Sequence, residues 1–94
     1  MQLEYHPDLL SFKEEILGPL LKYEGGGELI HTLEAYFEHN GNLSKTAESL
    51  YIHRNTLIYR MDRITEISGL DLAHEETRLA VQLALRIHRM MDSP

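Results

Sequence analysis

Leu9, Phe12 and Ile16 recur at helical spacing, which predicts a short helix over Asp8 to Leu17 with Asp8 as its N-cap. Gly18-Pro19 interrupts the pattern, because proline cannot donate the helical backbone bond, and one further helical turn is expected through Leu20 to Tyr23. Three consecutive glycines, Gly25 to Gly27, are costly to order and read as a linker or flexible turn. From Glu28 to His39 the chain sets Leu29, Leu33, Tyr36 and Phe37 along one helical face, and Asn40-Gly41 suits a left-handed end to that helix.

The next stretch predicts two short helices joined by a tight turn. Asn42 is placed to cap the first, Leu43 to Leu50, whose Ala47 is small where the two helices would cross. Tyr51-Ile52-His53 makes the turn, with Ile52 pointing into the core. The second helix runs from about Arg54 to Ser68 and stops at Gly69. Leu70-Asp71-Leu72 connects it to a last helix, about Glu75 to Met90, where Leu79, Leu83 and Ile87, with Ala80 and Ala84 beside them, form the expected apolar face. No β-alternation, internal repeat or low-complexity segment is present, so the expected class is all-α, a small helical bundle containing a helix-turn-helix. The expected organisation is an N-terminal helical segment and glycine-rich linker over 1–27, the helix-turn-helix domain over 28–90 with its two helices at about 43–50 and 54–68, and a tail over 91–94.

The helix beginning at Arg54 separates its chemistry by face. At ~100° per residue, Leu57, Met61 and Ile64 fall within a ~60° arc, while Asn55, Thr56, Tyr59, Arg60 and Arg63 fall on the opposite arc. That outward set combines guanidinium forks, an amide, a hydroxyl and a phenol, the groups that hydrogen-bond base edges and phosphates in a major groove. Arg54 and Asn55 sit at the entering end, where an arginine suits guanine and an asparagine suits adenine. Ser44 and Lys45, at the start of the preceding helix, are expected to contact the DNA backbone. His53 precedes the second helix, where the dipole disfavours a charged imidazole, so it is expected to cap that helix or touch a phosphate.

Charge changes the picture by its distribution. The whole chain carries −6, from 9 Lys and Arg against 15 Asp and Glu, the wrong sign for a phosphate partner. Residues 43–64, however, carry Lys45, Arg54, Arg60 and Arg63 against Glu48 and Asp62, and are the one positive segment. With a Debye length of ~8 Å at physiological salt, remote acids are largely screened from such a patch. Double-stranded DNA is therefore the expected partner. The acidic, amphipathic residues 1–42 support a second reading, a helical protein–protein interaction or dimerisation module.

The same residues carry a resemblance. Asn42 to Ile64, followed by Ser68-Gly-Leu-Asp-Leu72 and by Arg78 to Ile87, is similar to the C-terminal DNA-binding domain of the PucR family of bacterial transcription regulators. Sugar-diacid regulators of the CdaR type share that domain. The likeness covers roughly residues 18 to 88, and His53-Arg-Asn-Thr-Leu57 with Tyr59-Arg60 is its most specific part. It implies a helix-turn-helix like that of the nucleoid protein Fis, working as a homodimer, with His53, Arg54, Asn55, Thr56, Tyr59 and Arg60 as DNA contacts. In this family the domain usually follows a sensory region that detects a metabolite, so the chain resembles the output end of a longer regulator.

Other constellations are weaker. The six histidines include no pair three or four residues apart, and Gly25-Gly26-Gly27 lacks the Lys-Ser/Thr of a phosphate loop. No nucleophile, base and orienting group occur together, so neither catalysis nor any cofactor or metal is expected. With no cysteine and no apolar run near the ~20 residues a bilayer requires, a soluble, cytoplasmic protein that does not enter the membrane is expected. A symmetric dimer would cover Leu79, Leu83 and Ile87, or Leu9, Phe12 and Ile16, and would set two recognition helices about 34 Å apart.

Overall fold

Five helices make up the computed structural model, which describes residues 6–92. They are α1 (Pro7–Lys22), α2 (Gly26–Glu38), α3 (Leu43–Ser49), α4 (Arg54–Ser68) and α5 (Glu75–Asp92), and no strand occurs among the described residues. The start of the N-terminal segment, residues 1–5, and the end of the expected tail, residues 93 and 94, lie outside that range. The class is all-α, as the periodicity predicts.

Helix α1 is continuous through Gly18-Pro19, where a break is expected from sequence. Pro19 leaves the carbonyl of Glu15 without its helical donor, on a side of the helix where both residues are exposed. Gly18 has no side chain to collide with the proline ring. On either side Leu17 and Leu20 are fully buried. Burying two leucines contributes roughly 3 to 6 kcal/mol, enough to offset the ~3 kcal/mol cost of an interior proline. The helix also starts earlier than expected. His6, not Asp8, is the N-cap, its Nδ1 accepting from the Asp8 amide at 3.1 Å, and Pro7 sits where no amide hydrogen is needed.

The glycines after α1 form a close hydrogen-bonded turn. The Gly26 amide donates to the Tyr23 carbonyl at 2.8 Å, and the Glu28 amide to the Gly25 carbonyl at 3.1 Å. Helix α2 therefore begins at Gly26, two residues before the expected start. Gly26 is buried against α1, and a Cβ there would run into the Leu20 carbonyl, whose carbon would lie 2.9 Å away.

Leu17 and Leu20 of α1, Leu29, Ile30 and Leu33 of α2, Ile64 of α4, and Val81, Ala84 and Leu85 of α5 form the core. Helix α1 packs against α2, α4 and α5, and α2 against all the others. The face that α5 turns inward differs from the expected one. Val81, Ala84, Leu85 and Ile87 are buried, while Leu79 and Leu83 are 58% and 51% exposed. This helix carries two overlapping apolar arcs, and contact with α1 and α2 selects the one centred on Val81 and Ala84. The connector before it is tied down by Arg78, whose Nη1 donates to the carbonyls of Leu72 and Ala73 at 2.9 and 3.0 Å.

The two glycines at the start of α2 differ sharply in what a methyl group would meet. Gly26→Ala should lower unfolding free energy by about 2 to 3 kcal/mol through the backbone clash. Gly27→Ala, with nothing within 4 Å of its Cβ position, should raise it by about 0.5 to 1 kcal/mol. Urea unfolding of both variants measures the contrast.

Candidate nucleic-acid interface

The α3–α4 pair is held by local chemistry that matches its sequence. Asn42 Oδ1 accepts from the Lys45 amide at 2.9 Å, which caps α3, and the buried Thr46 hydroxyl donates to the Asn42 carbonyl at 2.7 Å. Ala47 is buried, and α3 packs against both α4 and α2. After α3 the backbone turns at Tyr51, which takes a left-handed φ of 56°, and the Ile52 amide donates to the Ala47 carbonyl at 3.1 Å. Ile52 is half-buried. Helix α4 then begins at Arg54 and ends at Gly69, whose φ of 74° suits the residue without a side chain.

Leu57 and Ile64 are fully buried and fix the rotation of α4, with Met61 packed beside them. Asn55, Thr56 and Tyr59 are consequently exposed, Tyr59 by 64%. Arg54 and Lys45 are exposed too and make no side-chain hydrogen bond or ion pair among the described residues. Ser44 and His53 are exposed nearby. His53 occupies the N-cap position but its side chain caps nothing, so the first amides of α4 keep their donors for another acceptor.

Arg60 and Arg63 are placed differently from the rest of the outward set. Arg60 is half-buried, paired with Glu28 of α2 and 3.5 Å from the Thr32 hydroxyl. Arg63 turns back over Tyr23, its guanidinium carbon 5.4 Å from the ring centre, donating to the Tyr23 hydroxyl and to Glu66 Oε2 at 2.9 Å. Those bonds, Tyr23 first and Glu66 second, hold the Arg63 guanidinium above its ordinary pKa. The reason is angular. The sequence reading sets Arg60 on the arc opposite the buried stripe, but at ~100° per residue it lies roughly 40° from Ile64, on the edge of the buried arc, where α2 is within reach. Helical spacing places a residue on an arc, but the partners Tyr23 and Glu28 come from elements 40 and 32 positions away.

One exposed group escapes the sequence reading. Tyr51 is 95% exposed and lines a shallow groove with Lys45, His39, Glu48 and Ser49. An aromatic residue in a turn was its only sequence signal; its left-handed backbone belongs to the local turn that closes α3. Among the described residues no group of three His, Asp or Glu is placed to hold a metal ion, and no helix is long and apolar enough to cross a membrane.

A short capped helix, a tight turn and a second helix anchored by two buried residues define a helix-turn-helix domain. The chain belongs to the family of the PucR C-terminal helix-turn-helix domain, whose model matches residues 29–87. It is 40% identical over 86 residues to the purine catabolism regulatory protein of Bacillus subtilis (strain 168), covering 90% of this chain and 16% of that protein. It is 44% identical over 71 residues to the carbohydrate diacid regulator of Escherichia coli (strain K12), covering 76% and 18%. The proline-responsive transcriptional activator PutR of Bacillus subtilis is 42% identical over 88 residues, with 90% and 21% covered. The chain thus spans about a fifth or less of these relatives. No solved structure matches it at a significant level. Membership in this helix-turn-helix family of transcription regulators points to DNA binding in regulation as the domain's task.

The two kinds of arginine on α4 are separable by stability alone. Arg60→Ala should cost about 1 kcal/mol, because the Glu28 carboxylate loses its partner beside a half-buried guanidinium, while the Thr32 hydroxyl keeps its bond to the Glu28 carbonyl. Arg54→Ala should change unfolding free energy by less than about 0.5 kcal/mol. Thermal unfolding of the two variants at one pH gives the comparison.

Proposed function

We propose that this domain binds specific duplex DNA with α4 in the major groove, as the output part of a longer cytoplasmic transcription regulator of the PucR and CdaR type. The observation that carries the reading is the open N-terminal end of α4, where Arg54, Asn55 and Thr56 are exposed beside uncapped amides. Arg54 and Asn55 contact base edges, bidentate to guanine and adenine respectively. Thr56 and Tyr59 lie further along the groove. Ser44, Lys45 and His53 contact the phosphate backbone, with Tyr51 beside them.

Arg60 and Arg63 take a double part. In the free domain they join α4 to α2 and α1 through Glu28 and Tyr23, and on DNA they add positive potential along the groove wall. Residues 28–90 form the reading unit, and α1 braces it. The domain works as a homodimer on a palindromic or near-palindromic site, and a sensory region elsewhere in the regulator supplies metabolite control. No cofactor takes part.

Salt dependence and base preference test this together. Log affinity for promoter DNA should fall linearly with log salt, by about 0.9 for each phosphate neutralised. Arg54→Ala should relax preference at one base position and cost about 1 to 3 kcal/mol there, whereas Lys45→Ala should weaken all sequences alike and reduce the slope by about one. A flat slope, or equal effects of both variants on every sequence, would refute the assignment.

Tyr51 offers a separate check, because its left-handed backbone is strained in a residue with a side chain. Tyr51→Gly should raise thermal stability by about 0.5 to 1 kcal/mol while weakening DNA binding. Unchanged affinity for DNA would remove Tyr51 from the contact set.

A further inference from the structure

Helix α5 presents two large apolar side chains to solvent: Leu79 and Leu83, which are 58% and 51% exposed. At ~100° per residue they fall within about 40° of one another, a continuous stripe along a helix whose opposite side is the core. One flank of the stripe carries Glu75, Gln82 and Arg86, all exposed. Neither Glu75 nor Arg86 has a side-chain partner among the described residues. The face shares no residue with the α3–α4 surface.

We propose that this face pairs with the same face of a second copy, the two α5 helices running antiparallel across a two-fold axis near Val81. Under such symmetry like flank meets like flank, and each contact occurs twice. The register that stacks Leu79 on the second copy's Leu83 also sets Glu75 opposite the second copy's Arg86. One alignment therefore satisfies the apolar stripe and both charges. A parallel pairing does the reverse. It would bring Glu75 and Glu76 together at one end and align the two helix dipoles. A contact between two single helices is smaller than the ~1,200 to 2,000 Å² of a stable interface, so association of the isolated chain is weak.

This deepens the homodimer part of the reading above and rests on that part, but it does not require DNA to be present. Sedimentation equilibrium of the chain without DNA, from about 10 μM to about 1 mM, should show the average mass rising from 10.9 kDa toward twice that value. Arg86→Glu should weaken association about tenfold, and the double reversal Glu75→Arg with Arg86→Glu should restore it to within about threefold. A chain that stays monomeric throughout, a single reversal without effect, or a double reversal that fails to recover would each overturn the proposal. So would coverage of Leu79 and Leu83 only within a longer regulator, which would assign the face to another segment of that protein. Binding of a single DNA half-site, measured in parallel, keeps the two questions apart. Its loss counts against the DNA reading alone, and a monomer that still binds counts against the interface alone.

Discussion

The burial of Leu57 and Ile64 is the constraint on which the rest of this domain depends. The two residues are seven positions apart, about two helical turns, and both are completely covered. Together they fix the rotation and the tilt of α4. Rotating the helix by the ~100° of one residue would pull that stripe out of the core and carry polar side chains toward it. Everything presented to a partner follows from this anchor, because a short helix with no intrinsic claim to stability is held in place by its packing.

The same anchor explains why the cations of α4 fall into two groups. Arg54 sits at the start of the helix, beyond the reach of α1 and α2, and stays open to solvent. Arg60 and Arg63 lie where those helices pass, and meet Glu28, Thr32 and Tyr23. The positive segment recognised in the composition is thus partly neutralised from within. What remains open is the end of the helix, where uncapped amides, Arg54, Asn55 and nearby Lys45 provide donors without a competing carboxylate partner. The acidic remainder of the chain, at a net −6, adds little to long-range attraction and leaves short-range geometry to decide what binds.

Much of the architecture was legible where local chemistry decides. Asn42 caps α3, Gly69 closes α4, and the periods of α2 and α4 select the buried faces that spacing alone predicts. The reading failed where distant parts of the chain intervene. Pro19 ends a helix in isolation, yet α1 runs through it because Leu17 and Leu20 are locked into a core built by four helices. The glycines before α2 read as slack, although one of them is needed for the crossing of α1 and α2. In α5 both Val81 and Leu79 lie on apolar arcs, and periodicity has no means of choosing between them.

The amino-acid sequence by itself determined the helical class, the family, the capped pair of helices and the side chains that crowd the outer arc of α4. These depend on contacts within a few residues, or on identities along one stretch of chain. Tertiary structure alone decided which of those side chains stand open and which are engaged, and that Leu79 and Leu83 of α5 stand exposed while Val81 and Ala84 are buried. The physical reason is that exposure and pairing are properties of neighbours, and the neighbours of Arg60, Arg63 and Leu79 are supplied by helices far away along the chain.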